Sequence, residues 1–241
     1  MKTIVIIQAR MGSSRLPGKI LKPLGEVNVL TYVVERCKRI RGIDQVIIAT
    51  STLAQDNIVE EWCLKQNVLC YRGSETDVLD RYVKAAQPYQ PDMVMRVTAD
   101  CPFVDYNLGS KMIEKMTKDR KDFIRINGNL PRGLAVELCS YSSLLYIHQH
   151  GREERHREHV TYYAYENPSE FTWTEIEALK TIQEPSLRIT LDTNEDYELC
   201  CKIADYFYND TLISATDVVK YLEEHPDIAK INSHIKQKPV I

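Results

Sequence analysis

The sequence predicts an α/β fold built on a Rossmann-like, mixed but mainly parallel sheet. Three observations carry that expectation. Apolar runs of strand length recur at residues 3–8, 45–50 and 93–98. Stretches with helical periodicity separate them. A basic loop rich in Gly and Ser follows the first run directly. Strands that alternate with helices imply parallel strands joined by crossovers, with helices on both faces.

The elements follow in order. Residues 3–8 read as a buried strand. Residues 28–40 read as a helix, with Asn28 as N-cap and Leu30, Val33, Val34 and Cys37 on one face. A strand at 45–50, a helix near 54–66 and a short strand near 68–71 come next. Residues 76–87 read as a helix capped by Thr76. A strand at 93–98 and a helix at 106–118 close this half. The rhythm changes after about residue 125. Asn127 to Gly133 is a turn-rich loop, 134–139 alternates like a strand, and 141–166 reads as a charged helix. Residues 171–177 alternate strictly and suggest an exposed antiparallel strand. Strand character returns at 187–191, and the last 50 residues read as helical. The whole chain, 1–241, is expected to form one domain, with 127–180 as a small antiparallel and helical elaboration.

The segment Gln8-Ala9-Arg10-Met11-Gly12-Ser13-Ser14-Arg15-Leu16-Pro17-Gly18-Lys19 says most about function. Gly12 and Gly18 let the backbone bend close to a ligand. Free N–H groups in such a loop form an anion nest. Arg10, Arg15 and Lys19 supply charge for phosphate oxygens. No Asp or Glu precedes Glu26, so the first 25 residues are purely cationic in a chain of net charge -3. That local excess points to an anionic ligand. The P-loop is excluded, because five residues separate Gly12 from Gly18 and Ile20 follows Lys19 where a hydroxyl is needed. The dinucleotide pattern G-x-G-x-x-G is excluded by Ser14 and Pro17.

The bulk numbers narrow the class. Hydrophobic content of 44% and charged content of 27% are those of a globular protein. An isoelectric point near 6.1 argues against a nucleic-acid binder. The apolar runs are too short for a membrane span. Seven cysteines without a C-x-x-C pair fit reduced thiols and a cytoplasmic location.

A triphosphate site that does chemistry needs magnesium, and magnesium needs oxygen ligands. Asp100 follows the strand at 93–98, and Asp192 follows the strand-like 187–191, with Asp196 opening a helix. In a parallel sheet the loops after such strands line one crevice. The expected chemistry is attack on an α-phosphate with pyrophosphate leaving. Mg2+ held by Asp100 and Asp192 would clamp attacking and leaving oxygens. Arg15 and Lys19 would stabilise the departing charge.

Six segments resemble, in order, the cytidylyltransferases that make CMP-activated sugar acids, closest to the SpsF family of spore-coat polysaccharide biosynthesis. They are 8–19, Arg72 to Tyr82, Arg96 to Pro102, Pro131 to Glu137, Arg157 to Thr161 and Leu191 to Leu199. The resemblance implies a nucleotide-diphospho-sugar transferase fold, CTP and a nonulosonic-type sugar acid as substrates, and a CMP-sugar and pyrophosphate as products. Gln8, Ala9, Arg10, Gly12, Ser13, Ser14 and Thr98 are expected at the nucleotide, with Arg72 and Ser74 near base and ribose. Gly133 and Glu137 are expected at the second substrate, with Arg157 and His159 at the same end. The family often carries acidic residues after Pro131 and after Leu134, where this chain has Arg132 and Ala135.

Other residues read more plainly. His148, His150, His156 and His159 lie in a run typical of a charged helix surface. Cys101 reads as a small filler, since direct phosphoryl transfer needs no protein nucleophile. Cys200 and Cys201 read as packing or surface residues. The alternating strip at 171–177 is expected to pair with a second copy in a homodimer. A glycosyltransferase usually needs an Asp-x-Asp metal motif, which Ala99-Asp100-Cys101-Pro102 lacks. A same-fold transferase with another nucleotide or a phosphate or phosphonate acceptor, and a non-catalytic CTP sensor, are the competing readings.

Overall fold

The computed structural model describes residues 1–237. Among these, seven strands pair into one sheet in the order β5-β4-β1-β6-β8-β7-β9. They are β1 (Thr3–Gln8), β4 (Gln45–Ser51), β5 (Leu69–Gly73), β6 (Met93–Thr98), β7 (Phe123–Asn127), β8 (Glu137–Ser140) and β9 (Trp173–Glu177). A two-stranded hairpin pairs β2 (Pro23–Leu24) with β3 (Val27–Asn28). β1 is central and pairs in parallel with β4 and β6. β8 is antiparallel to both β6 and β7, so it alone runs against the rest.

The alternation of β1 explains why helices cover both faces. Val5 and Ile7 enter one core with Leu30, Val33, Val34 and Cys37 of α1 (Val29–Arg39) and with Leu108 and Met112 of α4 (Tyr106–Asp119). Ile4 and Ile6 enter the other with Leu79, Tyr82 and Val83 of α3 (Val78–Ala86) and Leu144 and Ile147 of α5 (Tyr141–His150). A strand buried on both sides reads as a continuous apolar run, as 3–7 does. A third core joins α8 (Asn194–Tyr206) and α9 (Ala215–Glu224) to Leu24 and Phe103. The remaining helices are α2 (Asn57–Lys65), α6 (Glu154–Glu158), α7 (Tyr162–Glu166) and α10 (Pro226–Ala229).

Asn28 caps α1 as expected, accepting from the Thr31 amide. Four expectations need correction. The cap of α3 is Asp77 rather than Thr76, because its carboxylate accepts from the Asp80 amide. The 171–177 strip does form β9, but β9 pairs in parallel with β7, from Phe123↔Trp173 to Asn127↔Glu177. β7 itself went unread in the sequence. β8 and β9 both stand in the main sheet. The charged helix expected over 141–166 is broken into three by Gly151 and by the turn at 159–161. Residues 187–191 form no ladder strand. They run extended, bridged to the 130s by Arg132↔Arg188. No helix among the described residues is long and apolar enough to cross a membrane.

Candidate active site

A cleft of about 920 Å³ opens at the carboxyl ends of β1 and β6. Its walls are the 8–19 loop, the turn after β6, the 130–137 segment and the 190–192 segment. The basic loop begins where β1 ends. Ala9 donates its N–H to Ala49 O, and the Met11 amide donates to Asp56 Oδ1 at 2.7 Å, which fixes the exit from the strand. Gly18 takes a left-handed conformation, φ 68°, and starts the short 3-10 turn that carries Lys19. The amides of Ser13 and Gly18 both donate to Met11 O. Those of Gly12, Ser14 and Arg15 make no hydrogen bond among the described residues. They are the free donors an anion nest requires.

The two aspartates converge because their segments are tied together. Asp100 O accepts from the Leu191 amide at 2.8 Å and from Thr190 Oγ1 at 3.2 Å. Lys19 Nζ then donates to Asp100 Oδ2 at 2.7 Å and to Asp192 Oδ1 at 2.9 Å. Arg15 and Arg188 reach the other Asp192 oxygen, at 3.1 and 2.8 Å. Burial pulls the Lys19 pKa down, but Asp100 and Asp192 together outweigh it and hold it above the usual lysine value. Burial works against the Asp192 carboxylate too, and Lys19, Arg15 and Arg188 still hold its pKa below the usual aspartate value. Both groups are therefore charged across the neutral range.

Behind this constellation lies a hub that sequence reasoning missed. Asp196, expected to open α8, sits in its first turn and is fully buried. It accepts from Arg188 Nε at 2.9 Å, from the Asp192 amide at 2.9 Å and from Asn232 Nδ2 at 2.8 Å. It thereby fixes the loop that presents Asp192. The four-residue spacing of Arg188, Asp192 and Asp196 was the available signal.

Most other expected residues reach the cleft. Gln8, Arg10, Gly12, Ser13, Ser14, Thr98, Gly133, Glu137 and His159 all line it. Gly133 takes φ +104°, and a Cβ there would stand 2.7 Å from the backbone of Ile189. Glu137 is held by Arg96 at 2.6 Å and by Thr161 Oγ1 at 2.9 Å. Burial, and then Arg96, push the His159 pKa below the usual histidine value, so the ring is neutral near pH 7. Arg10 is already engaged, bridging Glu75 and Glu158 at 3.1 Å each.

Four expected residues do not line the cleft. Ala9 is buried in the core. Arg72 spends its guanidinium on Ser51 O, Leu53 O and Glu60, which pins the loop between β4 and α2. Ser74 Oγ accepts from the Asp77 amide at the start of α3. Arg157 donates to His148 O and faces Asp77 at 3.5 Å. The other histidines diverge as well: His148 pairs with Asp80, His156 with Glu166, and His150 stacks on Tyr146. Burial, and then the adjacent Asp100, push the Cys101 thiol up to about 12, which keeps it protonated.

Comparison with known proteins places this geometry. The cytidylyltransferase family model matches residues 4–233. The chain belongs to the cytidylyltransferase family. This cytidylyltransferase is 36% identical over 231 residues to the spore coat polysaccharide biosynthesis protein SpsF of Bacillus subtilis, covering 94% of this chain and 96% of that one. A solved cytidylyltransferase from Leptospira borgpetersenii superposes with a TM-score of 0.89 at 31% identity, covering 99% of this chain and 100% of the other. A CMP:2-keto-3-deoxy-manno-octonic acid synthetase complexed with CTP superposes with a TM-score of 0.65 at 17% identity, covering 86% and 100%, and shares the fold.

Proposed function

We propose that this cytidylyltransferase transfers CMP from CTP to a hydroxyl of a sugar acid of the nonulosonic type, releasing pyrophosphate, in the synthesis of surface polysaccharide. The observation that carries the reading is the convergence of Lys19 and Arg15 on Asp100 and Asp192, beside a loop with free amide donors. The acceptor oxygen bonds to the α-phosphorus, and the bond from that phosphorus to the α,β-bridging oxygen breaks. The electron pair leaves with pyrophosphate, and the proton of the acceptor hydroxyl passes to water. The amides of Gly12, Ser14 and Arg15 hold phosphate oxygens, and Arg15 and Lys19 neutralise the departing charge. Arg132 lines the cleft and suits a substrate carboxylate. Glu137 and neutral His159 are placed for sugar hydroxyls.

The donor set fits Mg2+. Asp100 and Asp192 offer hard oxygens close enough to share one ammonium. Among the described residues Asp100 Oδ1 meets only the Cys101 thiol, at 3.7 Å, and so keeps lone pairs free. Two carboxylates, completed by substrate phosphates and water, are the usual protein share of a magnesium site. When bound there, Mg2+ supplies Lewis-acid neutralisation of phosphate charge.

The β9 edge is unpaired among the described residues, with Tyr165 and Tyr146 exposed beside it; this supports a homodimer through that edge. The test of the proposal is Asp100→Asn assayed for pyrophosphate release with CTP, Mg2+ and a panel of 2-keto-3-deoxy sugar acids. Turnover is expected to vanish while the melting temperature stays near that of the parent. Full activity in Asp100→Asn, or activity indifferent to chelation, contradicts the assignment.

A further inference from the structure

The cleft contains a charge arrangement that the nucleotide reading leaves incomplete. Arg10, expected at the triphosphate, is held at 3.1 Å by Glu75 on one side and at 3.1 Å by Glu158 on the other. To grip phosphate it must give up at least part of that bridge. The carboxylates it leaves would then stand uncompensated beside a triphosphate, in partly buried positions. Uncompensated like charges at such a place oppose binding.

Arg81, on α3, is almost wholly buried, at 1% exposure, and its stem packs on Gly73, two residues before Glu75. Its stem leaves α3 past Gly73, where a Cβ would come within 3.3 Å of Arg81 Cγ. Among the described residues its Nε and Nη1 are sealed from solvent without a hydrogen-bond partner, and Glu75 Oε2 is sealed and unpartnered too. A buried guanidinium with two idle donors, and a partly buried carboxylate with an idle oxygen, are costly in this state. Burial lowers the Arg81 pKa more than Tyr82, Glu75 and Glu158 raise it, and Arg10 adds to the lowering. Arg81 thus feels all three charges of the bridge while bonding to none of them.

We propose that Arg81 is a positioning residue for the nucleotide step: when Arg10 swings onto the triphosphate, the Arg81 guanidinium takes over the carboxylate that Arg10 releases. The inference rests on the cytidylyltransfer reading above. It accounts for a buried guanidinium whose donors serve neither the fold nor the cleft chemistry among the described residues. It also makes the cost carried without nucleotide the source of a gain when nucleotide binds.

The test compares the full-length chain with Arg81→Met and Arg81→Lys. CTP binding is measured by calorimetry with Mg2+, kcat and KM for CTP by pyrophosphate release, and melting without nucleotide. Arg81→Met is expected to melt higher without nucleotide, because it removes an unpaired buried charge. The same variant is expected to bind CTP about tenfold more weakly, with the loss in KM rather than kcat. Arg81→Lys, which keeps the charge, is expected to recover most of the CTP affinity. A merely structural arginine gives the opposite pattern, with lower melting and unchanged CTP affinity, and that result overturns the proposal. Equal CTP binding by parent and Arg81→Met overturns it while leaving the cytidylyltransfer reading intact. Absence of CTP binding by the parent overturns the reading itself, and this inference falls with it.

Discussion

Replacing Lys19 with Met isolates the interaction on which the active-site assignment depends. The side chains are similar in length, so the change removes charge with little change in bulk. Lys19 is 11% exposed at its side chain and bonds to Asp100 at 2.7 Å and Asp192 at 2.9 Å. Breaking a buried ion pair by removing one partner costs about 3–5 kcal/mol. Here Asp192 keeps Arg15 and Arg188, and Asp100 is 25% exposed. The expected cost to stability is therefore smaller, about 1–3 kcal/mol. At roughly 2–4 °C per kcal/mol for a chain of this size, the melting temperature should fall by roughly 2–12 °C. The kinetic effect should be larger, because a donor that meets developing charge is worth about 10²–10³ in kcat. The pH dependence has a definite sign. The Lys19 pKa is raised above 10.5 in the folded state, so its contribution is complete below 10.5 and is lost as pH rises through the folded value. The Asp192 pKa is depressed below 3.8, so its contribution is present above 3.8 and is lost as pH falls through the folded value. Lys19→Met should therefore flatten the alkaline limb of the stability profile and weaken the acid-side contribution of Asp192. Pyrophosphate release and thermal melts across pH measure both effects. A variant that retains kcat within threefold, with an unchanged alkaline limb, would refute the reasoning.

Other predictions follow from the same geometry. Asp196→Ala should cost about 3–5 kcal/mol: Arg188 keeps Asp192 but loses its fully buried carboxylate, and Asn232 and the Asp192 amide lose their acceptor at once; urea denaturation measures this, and a loss below 1 kcal/mol speaks against the hub. Gly133→Ala should lower both stability and turnover, since a left-handed φ of +104° and a 2.7 Å approach to Ile189 leave no room for Cβ; parent-like melting and activity would show that the segment shifts freely. If β9 joins two copies, light scattering should give twice the chain mass, and Glu175→Pro, whose N–H faces away from β7, should yield monomers; a monomeric parent excludes that interface.

The parts of the fold that local chemistry dictates could be read from the sequence. Apolar runs and helical periodicity place β1, β4, β6, α1 and α4, and the carboxamide of Asn28 marks where α1 begins. β7 went unread because Phe-Ile-Arg-Ile-Asn is short and carries Arg125, whose guanidinium sits 4.0 Å over the Trp173 ring of β9. The direction of β9 was misread because strict alternation reports an exposed face, whereas strand direction depends on a pairing 50 residues away in sequence. The site divides in the same way. The basic loop is contiguous, so its charge excess was visible. Its tethering depends on pairs 65 and 148 residues apart, Arg10 with Glu75 and with Glu158, and no local pattern reveals them. Arg72, expected near the base, also ties down a loop through Ser51 O, Leu53 O and Glu60, partners that no local pattern reveals.

The measurement closest to the central claim is pyrophosphate release with Mg2+, crossing CTP, UTP, GTP and ATP against 2-keto-3-deoxy sugar acids. The account predicts release with CTP and at least one acid, lost on chelation and in Asp100→Asn. Release that prefers another nucleotide, or CTP binding with no turnover for any acid, phosphate or phosphonate acceptor, would contradict it.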